Sequence, residues 1–212
     1  MGYSREHESR AIPLGAKLGF TAWMLFWVPV ILWAYGPQNF FWLCNMAQFL
    51  VLYGVWSQNR LVLSSQAGVM TLVGAGWTLD FLIGLPLGDS VTGFTSFMFD
   101  ETNPLLARAT SLYHVGLPPF LLWLVHRVGY DRRGPWLQCG IGAAGVTGGW
   151  LFTDPERNVN LVHRVFGMEQ VWMPEPLFVA FLVLLYPLII FFPGHGLTLL
   201  VLRWTGRRAP GD

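Results

Sequence analysis

Charged side chains are scarce. Asp, Glu, Lys and Arg make up 12% of the 212 residues, about half the share usual in soluble domains. Hydrophobic residues make up 53% and aromatic residues 16%. A water-soluble fold has too little polar surface here to cover itself, which excludes an ordinary globular domain. A formal net charge of +1, with the basic residues scattered among loops, leaves no nucleic-acid footprint. The histidines also lack a ligand cluster with metal spacing: His7, His126, His163 and His195 fall in a tail, at a helix end, in a loop and near the end of the last apolar run. No Gly-rich phosphate loop follows a strand, and no intramembrane lysine is placed for a Schiff base, so no cofactor is expected.

What the sequence does have is long apolar runs. A helix needs roughly 20 such residues to cross the hydrocarbon core, and six runs approach or exceed this, at about 14–35, 39–57, 62–87, 107–128, 135–153 and 176–203. The expected fold is all-α, a polytopic membrane bundle of six transmembrane helices. Residues 1–13 would form a cytoplasmic tail, 14–203 the transmembrane domain and 204–212 a second cytoplasmic tail. PGHG at 193–196 is expected to break or bend the last span. The first run is long for a signal peptide and is read as an anchor, despite the small-x-small look of Ala34-Tyr35-Gly36.

Basic residues set the expected orientation. Arg5, Arg10, Lys17, Arg60, Arg127, Arg132, Arg133, Arg203, Arg207 and Arg208 fall on one side, and only Arg108, Arg157 and Arg164 on the other. Short cytoplasmic segments carry such an excess, so both termini are assigned to the cytoplasm of a multi-pass protein of the cell inner (plasma) membrane. The two longer loops, at about 88–106 and 154–175, then face outward, each a lid or an ordinary connection. The glycines of the fifth span, at 140, 142, 145, 148 and 149, suit close helix packing.

Ionisable groups inside a membrane are functional candidates because they are costly to place there. On this topology Cys44 lies roughly 8 Å below the outer end of its span, and Asp80 and His114 about 10 Å below theirs. A thiol, a carboxyl and an imidazole thus share one layer. Cys139 sits about 6 Å deep from the opposite end, roughly 16 Å away along the core, so the two thiols are too far apart for the α-carbon spacing of a disulfide, under about 7 Å.

Such a layer permits nucleophilic acyl transfer. His114 would take the proton of Cys44, Asp80 would orient the imidazole, and Asn45 or Gln48 would donate to an oxyanion. Trp77 and Ser111 complete the expected substrate contacts. Each residue also has a bland reading in helix packing.

Leu43-Cys44-Asn45-Met46-Ala47, followed about 70 residues later by Tyr113-His114 and Leu117-Pro118, resembles the YwaF-like bacterial integral membrane proteins. In that pattern the second helix carries an LCD-type motif and the fourth a lone histidine. Their relatives include androgen-induced-gene-type lipid hydrolases and an ether-phospholipid acyltransferase, six-span enzymes with an intramembrane Thr or Cys nucleophile and a His. The resemblance implies Cys44 as nucleophile and His114 as base; Asn45 stands where the pattern commonly has an acidic residue. The leading expectation is a lipid acyltransferase or hydrolase acting on membrane lipids. The alternative is a non-enzymatic subunit or scaffold with a membrane-protein partner, suggested by 11 tryptophans and the glycine-rich span. A solute carrier ranks third, because no pair of broken helices marks a midplane site.

Overall fold

The computed structural model describes residues 11–165 and 168–205. His7, Arg5, Arg10, Arg207, Arg208 and most of both expected tails lie outside the described residues. The chain is mostly helical. Its helices are α1 (Leu14–Tyr35), α2 (Leu43–Ser57), α3 (Arg60–Leu87), α4 (Leu105–Thr110), α5 (Tyr113–Val128), α6 (Gly134–Phe152), α7 (Glu175–Tyr186) and α8 (Phe192–Trp204). Three stretches, Leu14–Tyr35, Arg60–Leu87 and Glu175–Trp204, are long and apolar enough to cross a membrane. Large apolar side chains point outward, Leu25 at 73% and Leu184 at 71% exposure, while Gln48, Gln66, Ser64 and Thr198 are fully buried. That inversion of the soluble pattern is the arrangement expected when lipid is the solvent.

Helix ends follow from local chemistry. Gly36, at φ 72°, closes α1 with its N–H on the Leu32 carbonyl at 3.0 Å. Asn59 caps α3, its side chain accepting from the N–H groups of Leu61 and Val62 at 3.1 and 3.2 Å. Gly88 ends α3 in the left-handed region.

Three boundaries differ from the expected spans. Residues Pro37–Phe41 form a 3-10 turn, so α2 starts at Leu43 and Cys44 lies in its first turn rather than five residues in. The fourth run is broken between α4 and α5. There the hydroxyls of Thr110 and Ser111 donate to the Ala107 carbonyl, and the backbone tightens into i to i−3 bonds through His114. His114 therefore also sits in the first turn of its helix. In the last run PGHG is itself helical; the distortion is a π turn at Pro187–Phe191, one turn earlier. Pro193 lacks an N–H for the carbonyl four residues back, so it disturbs the turn before it.

Core packing centres on α3, which meets α2, α5, α6 and α8. At the α3–α8 crossing a β-carbon on Gly194 would come within 2.2 Å of the Gly68 carbonyl oxygen, and Thr198 fixes the contact by donating to the Ala67 carbonyl at 3.2 Å. The glycines of α6 admit neighbours in the same way: a β-carbon on Gly142 would strike Phe191, on Gly145 Leu43, and on Gly148 Phe41. Small residues let these backbones and rings approach closely.

Two loops crowd one end of the bundle. Residues 89–104 fold back over α3, and residues 153–174 carry a two-residue antiparallel pair, Arg164–Val165 with Met168–Glu169. Buried Asn160 inserts from the second loop. Its side-chain oxygen accepts from the Leu43 N–H at 3.0 Å, its amide donates to the Phe41 and Gly145 carbonyls at 2.8 and 3.0 Å, and its own carbonyl accepts from the Tyr186 hydroxyl at 2.6 Å. One loop residue thus ties together the start of α2, the second half of α6 and the end of α7.

Candidate functional site

Between α1, α2, α3, α5 and α7, at the end that carries the long loops, lies a cavity of about 900 Å³. That is near the upper end of the roughly 300–1,000 Å³ range of ligand pockets. Most of its wall is apolar, from Val69, Met70 and Val73 of α3 to Leu182, Leu185 and Phe191 on the opposite side. Gly76, Phe94, Phe181 and Ile189 also line it and are solvent-exposed, so the chamber opens sideways between α3 and the α7 segment.

One patch of this wall is polar, formed by Cys44, Asn45, Ser111, Tyr113 and His114. The first turns of α2 and α5 deliver it. The Cys44 thiol lies against the Tyr113 hydroxyl and the backbone N–H of Asn45. Tyr113 donates onward to the Asn45 side-chain oxygen at 2.7 Å, and the Asn45 amide donates to the Asn39 carbonyl at 2.7 Å. Tyr113 is a residue the sequence reading named only as part of a motif; its adjacency to a histidine in the first turn of an apolar helix was the available signal.

His114 is buried and held as a flat plate. Its ring stacks on Tyr113 at 4.1 Å and on Trp77 at 4.8 Å between centroids. Nδ1 lies 2.9 Å from the Ser111 carbonyl oxygen. A carbonyl can only accept, so Nδ1 carries the proton and Nε2 is left as the ring's acceptor. Ser111 and Trp77 thus serve the imidazole, one through its backbone and one through its ring. Cys139 is a free thiol, as is Cys44.

Two of the expected roles are not seen. Asp80 does not bond the imidazole: its carboxylate accepts from the hydroxyls of Ser90 and Thr95, both at 2.6 Å, and from the N–H groups of Val91, Thr92 and Thr95. An ionised carboxylate among five donors organises the 90–95 loop, and that work occupies it. Gln48 faces the other side of Tyr113, where its oxygen accepts from the Trp23 indole at 3.1 Å beside a separate groove of about 350 Å³. The Asn45 side chain supports Tyr113 through its oxygen and gives one of its two amide hydrogens to Asn39.

Beyond the polar patch the cavity is lined by Arg157, whose Nη1 donates to the Tyr35 carbonyl at the end of α1. Compared with protein-family models, curated proteins and solved structures, the chain has no match in any of the three.

Proposed function

We propose that the protein is an integral membrane enzyme that transfers or hydrolyses acyl groups of lipids through Cys44. The observation that carries this reading is a thiol and an imidazole in the polar wall of an otherwise apolar chamber that opens sideways. A lipid enters between α3 and the α7 segment without leaving an apolar environment, and its ester comes to rest at the first turns of α2 and α5. The basic-residue asymmetry supports placing the long-loop end on the outer face of the plasma membrane, with both termini inside.

In the first step the thiol proton passes to Nε2 of His114, the sulfur bonds the ester carbonyl carbon, and the alcohol part of the lipid leaves with that proton. Water or a second lipid hydroxyl then attacks the thioester and its proton returns to sulfur. With the N–H groups of Leu43, Asn45 and Met46 paired, the Cys44 N–H and the positive end of the α2 dipole are what the first turn offers where the carbonyl oxygen becomes negative. Tyr113 holds the thiol in place, and Ser111 fixes the tautomer that makes Nε2 the base.

A second reading has its own support. Among the described residues no hydrogen bond joins Cys44 to His114, whose Nδ1 is turned to the Ser111 carbonyl, which also suits a lipid-holding subunit without chemistry. Purified protein in lipid nanodiscs containing chain-labelled phospholipid separates the two. The enzyme reading expects acyl release or transfer, lost in Cys44→Ala and in His114→Gln, with a hydroxylamine-labile acyl group trapped on the wild type. Activity that survives Cys44→Ala sinks the thioester; no turnover and no acylation in the wild type leaves the holding role.

A further inference from the structure

We propose that the cavity recognises a phospholipid through its phosphate, bound at Arg157, with one acyl chain lying in the apolar chamber. This names the substrate class of the reading above and rests on that reading for its chemistry alone.

Among the described residues that line the cavity, Arg157 is the only Asp, Glu, Lys or Arg. It has no carboxylate partner among the described residues. Its neighbours on the loop are engaged elsewhere: Glu156 pairs with Arg164 at 2.7 Å, and the Asp154 side chain accepts from the Glu156 N–H at 2.9 Å. A guanidinium carries five N–H donors in a planar fork, and Arg157 spends one nitrogen on the Tyr35 carbonyl. That bond anchors the side chain to the end of α1 and leaves the rest of the fork for a ligand.

The surroundings are short of acceptors. Tyr35 lines the same cavity, and its hydroxyl is buried without a hydrogen-bond partner. Arg108, whose Nη1 donates to the Met98 carbonyl at 2.9 Å, and Asp100 act on that hydroxyl with opposite charges, and the Arg108 Nε is buried without a partner. The unpartnered Tyr35 hydroxyl and the remaining N–H donors of the exposed Arg157 guanidinium, side by side in the lining of an apolar cavity, suit an anion with several oxygens. A phosphate provides them and matches the guanidinium fork.

A fatty-acid carboxylate shares the negative charge but offers no ester to Cys44. In a glycerophospholipid the ester lies a few bonds from the phosphate, and Cys44 and Arg157 line one chamber. The acyl chain has room beyond them, since residues 69 to 77 of α3 alone extend the wall by about 12 Å.

Single-chain ligands with brominated tails test this, because bromine quenches tryptophan on contact and Trp42, Trp77 and Trp172 line the cavity. Purified Cys44→Ala protein in neutral detergent, which holds ligand without turnover, is titrated with brominated lysophosphatidylglycerol, the monoacylglycerol of the same chain, and the corresponding fatty acid. The phosphate-bearing ligand is expected to saturate at the lowest concentration. Arg157→Gln keeps an N–H donor for the Tyr35 carbonyl and is expected to weaken that ligand about tenfold or more, by loss of a charge-assisted contact, while monoacylglycerol binding stays unchanged. Arg157→Lys is expected to recover part of the loss.

Equal affinity for phosphate-bearing and phosphate-free ligands overturns the proposal. So does preference for the fatty acid, an unchanged titration in Arg157→Gln, or no recovery in Arg157→Lys. Phosphate selectivity in a protein that never turns lipid over would retire the acyl-transfer reading and leave this one standing.

Discussion

The carbonyl of His114 meets α3 at Gly74, where a β-carbon would come within 2.8 Å of that oxygen and 2.5 Å of the Pro118 ring. Pro118 has no N–H to offer the carbonyl four residues back. The helix that bears the imidazole is therefore open on the side that α3 covers, and a glycine is what lets α3 cover it.

Gly74→Ala is expected to force α3 and α5 apart and to lower stability by about 1–3 kcal/mol, the usual cost of overpacking a tight contact. Gly76→Ala, one turn fraction along the same helix with nothing within 4 Å of its added carbon, is the control and should stay within about 0.5 kcal/mol. Thermal unfolding of both variants in one detergent gives the comparison. An unfolding midpoint for Gly74→Ala equal to that of Gly76→Ala would show that the contact is not tight.

Asp80→Asn preserves shape but turns an amide toward donors. It is expected to cost about 1.5–3 kcal/mol, the value of hydrogen bonds to a charged acceptor, and to loosen the loop before the bundle does. Hydrogen exchange at the amides of Val91, Thr92 and Thr95 measures this directly, since all three donate to Asp80. Exchange as slow as in the parent would mean that the loop holds itself.

Asn160→Ala removes the bonds to Leu43, Phe41 and Gly145 together. The first turn of α2 then loses its cap and Cys44 its fixed position. Faster alkylation of Cys44 by a membrane-permeant maleimide is the expected outcome, with Cys139 as the internal reference and stability reduced by about 1–3 kcal/mol for the buried groups left unpaired. An unchanged alkylation rate would separate the loop from the polar patch.

At the opposite end of the bundle, Asp131 follows α5 and accepts from Arg133 through both carboxylate oxygens, at 3.1 and 2.9 Å. The hydrogen bonds from Arg133 are the largest cause holding its carboxyl below the ordinary range, and the Arg60 charge adds to them. A carboxyl depressed in the folded state stabilises at pH above its unfolded value, near 4, and the contribution fades as pH falls through the lower folded value. Unfolding of Asp131→Asn measured between pH 7 and pH 3 should show a smaller loss of stability on acidification than the parent. Parallel curves would place the acid sensitivity elsewhere.

The long helices were legible from sequence because apolar length is a local property: 14–35 coincides with α1, and 135–153 with α6 within a residue. The interruption near Cys44 was not, because Phe40, Phe41 and Trp42 are as apolar in a 3-10 turn as in a helix, and hydropathy is blind to backbone winding. Nor was the break before Tyr113, which depends on which hydroxyl claims the Ala107 carbonyl. Depth counting brought Cys44 and His114 to one chamber but also drew in Asp80, whose partners sit 10 to 15 residues downstream in a loop without periodicity. Asn160 left no signal, since a buried loop asparagine reads like any polar loop residue until the chain folds.

The π turn at Pro187–Phe191 sets the phase of everything after it. Each residue of an α-helix advances the chain by about 100°, so one residue more in a turn re-aims the following helix by that angle. Before the turn, Leu182 and Tyr186 face the chamber; after it, Gly194 and Thr198 face α3. Two different surfaces of one span are thereby served by a single extra residue. Deleting Ile189 would leave a smoother helix in which α8 shows α3 the wrong side, with Gly194 rotated away from the only kind of contact its missing side chain permits.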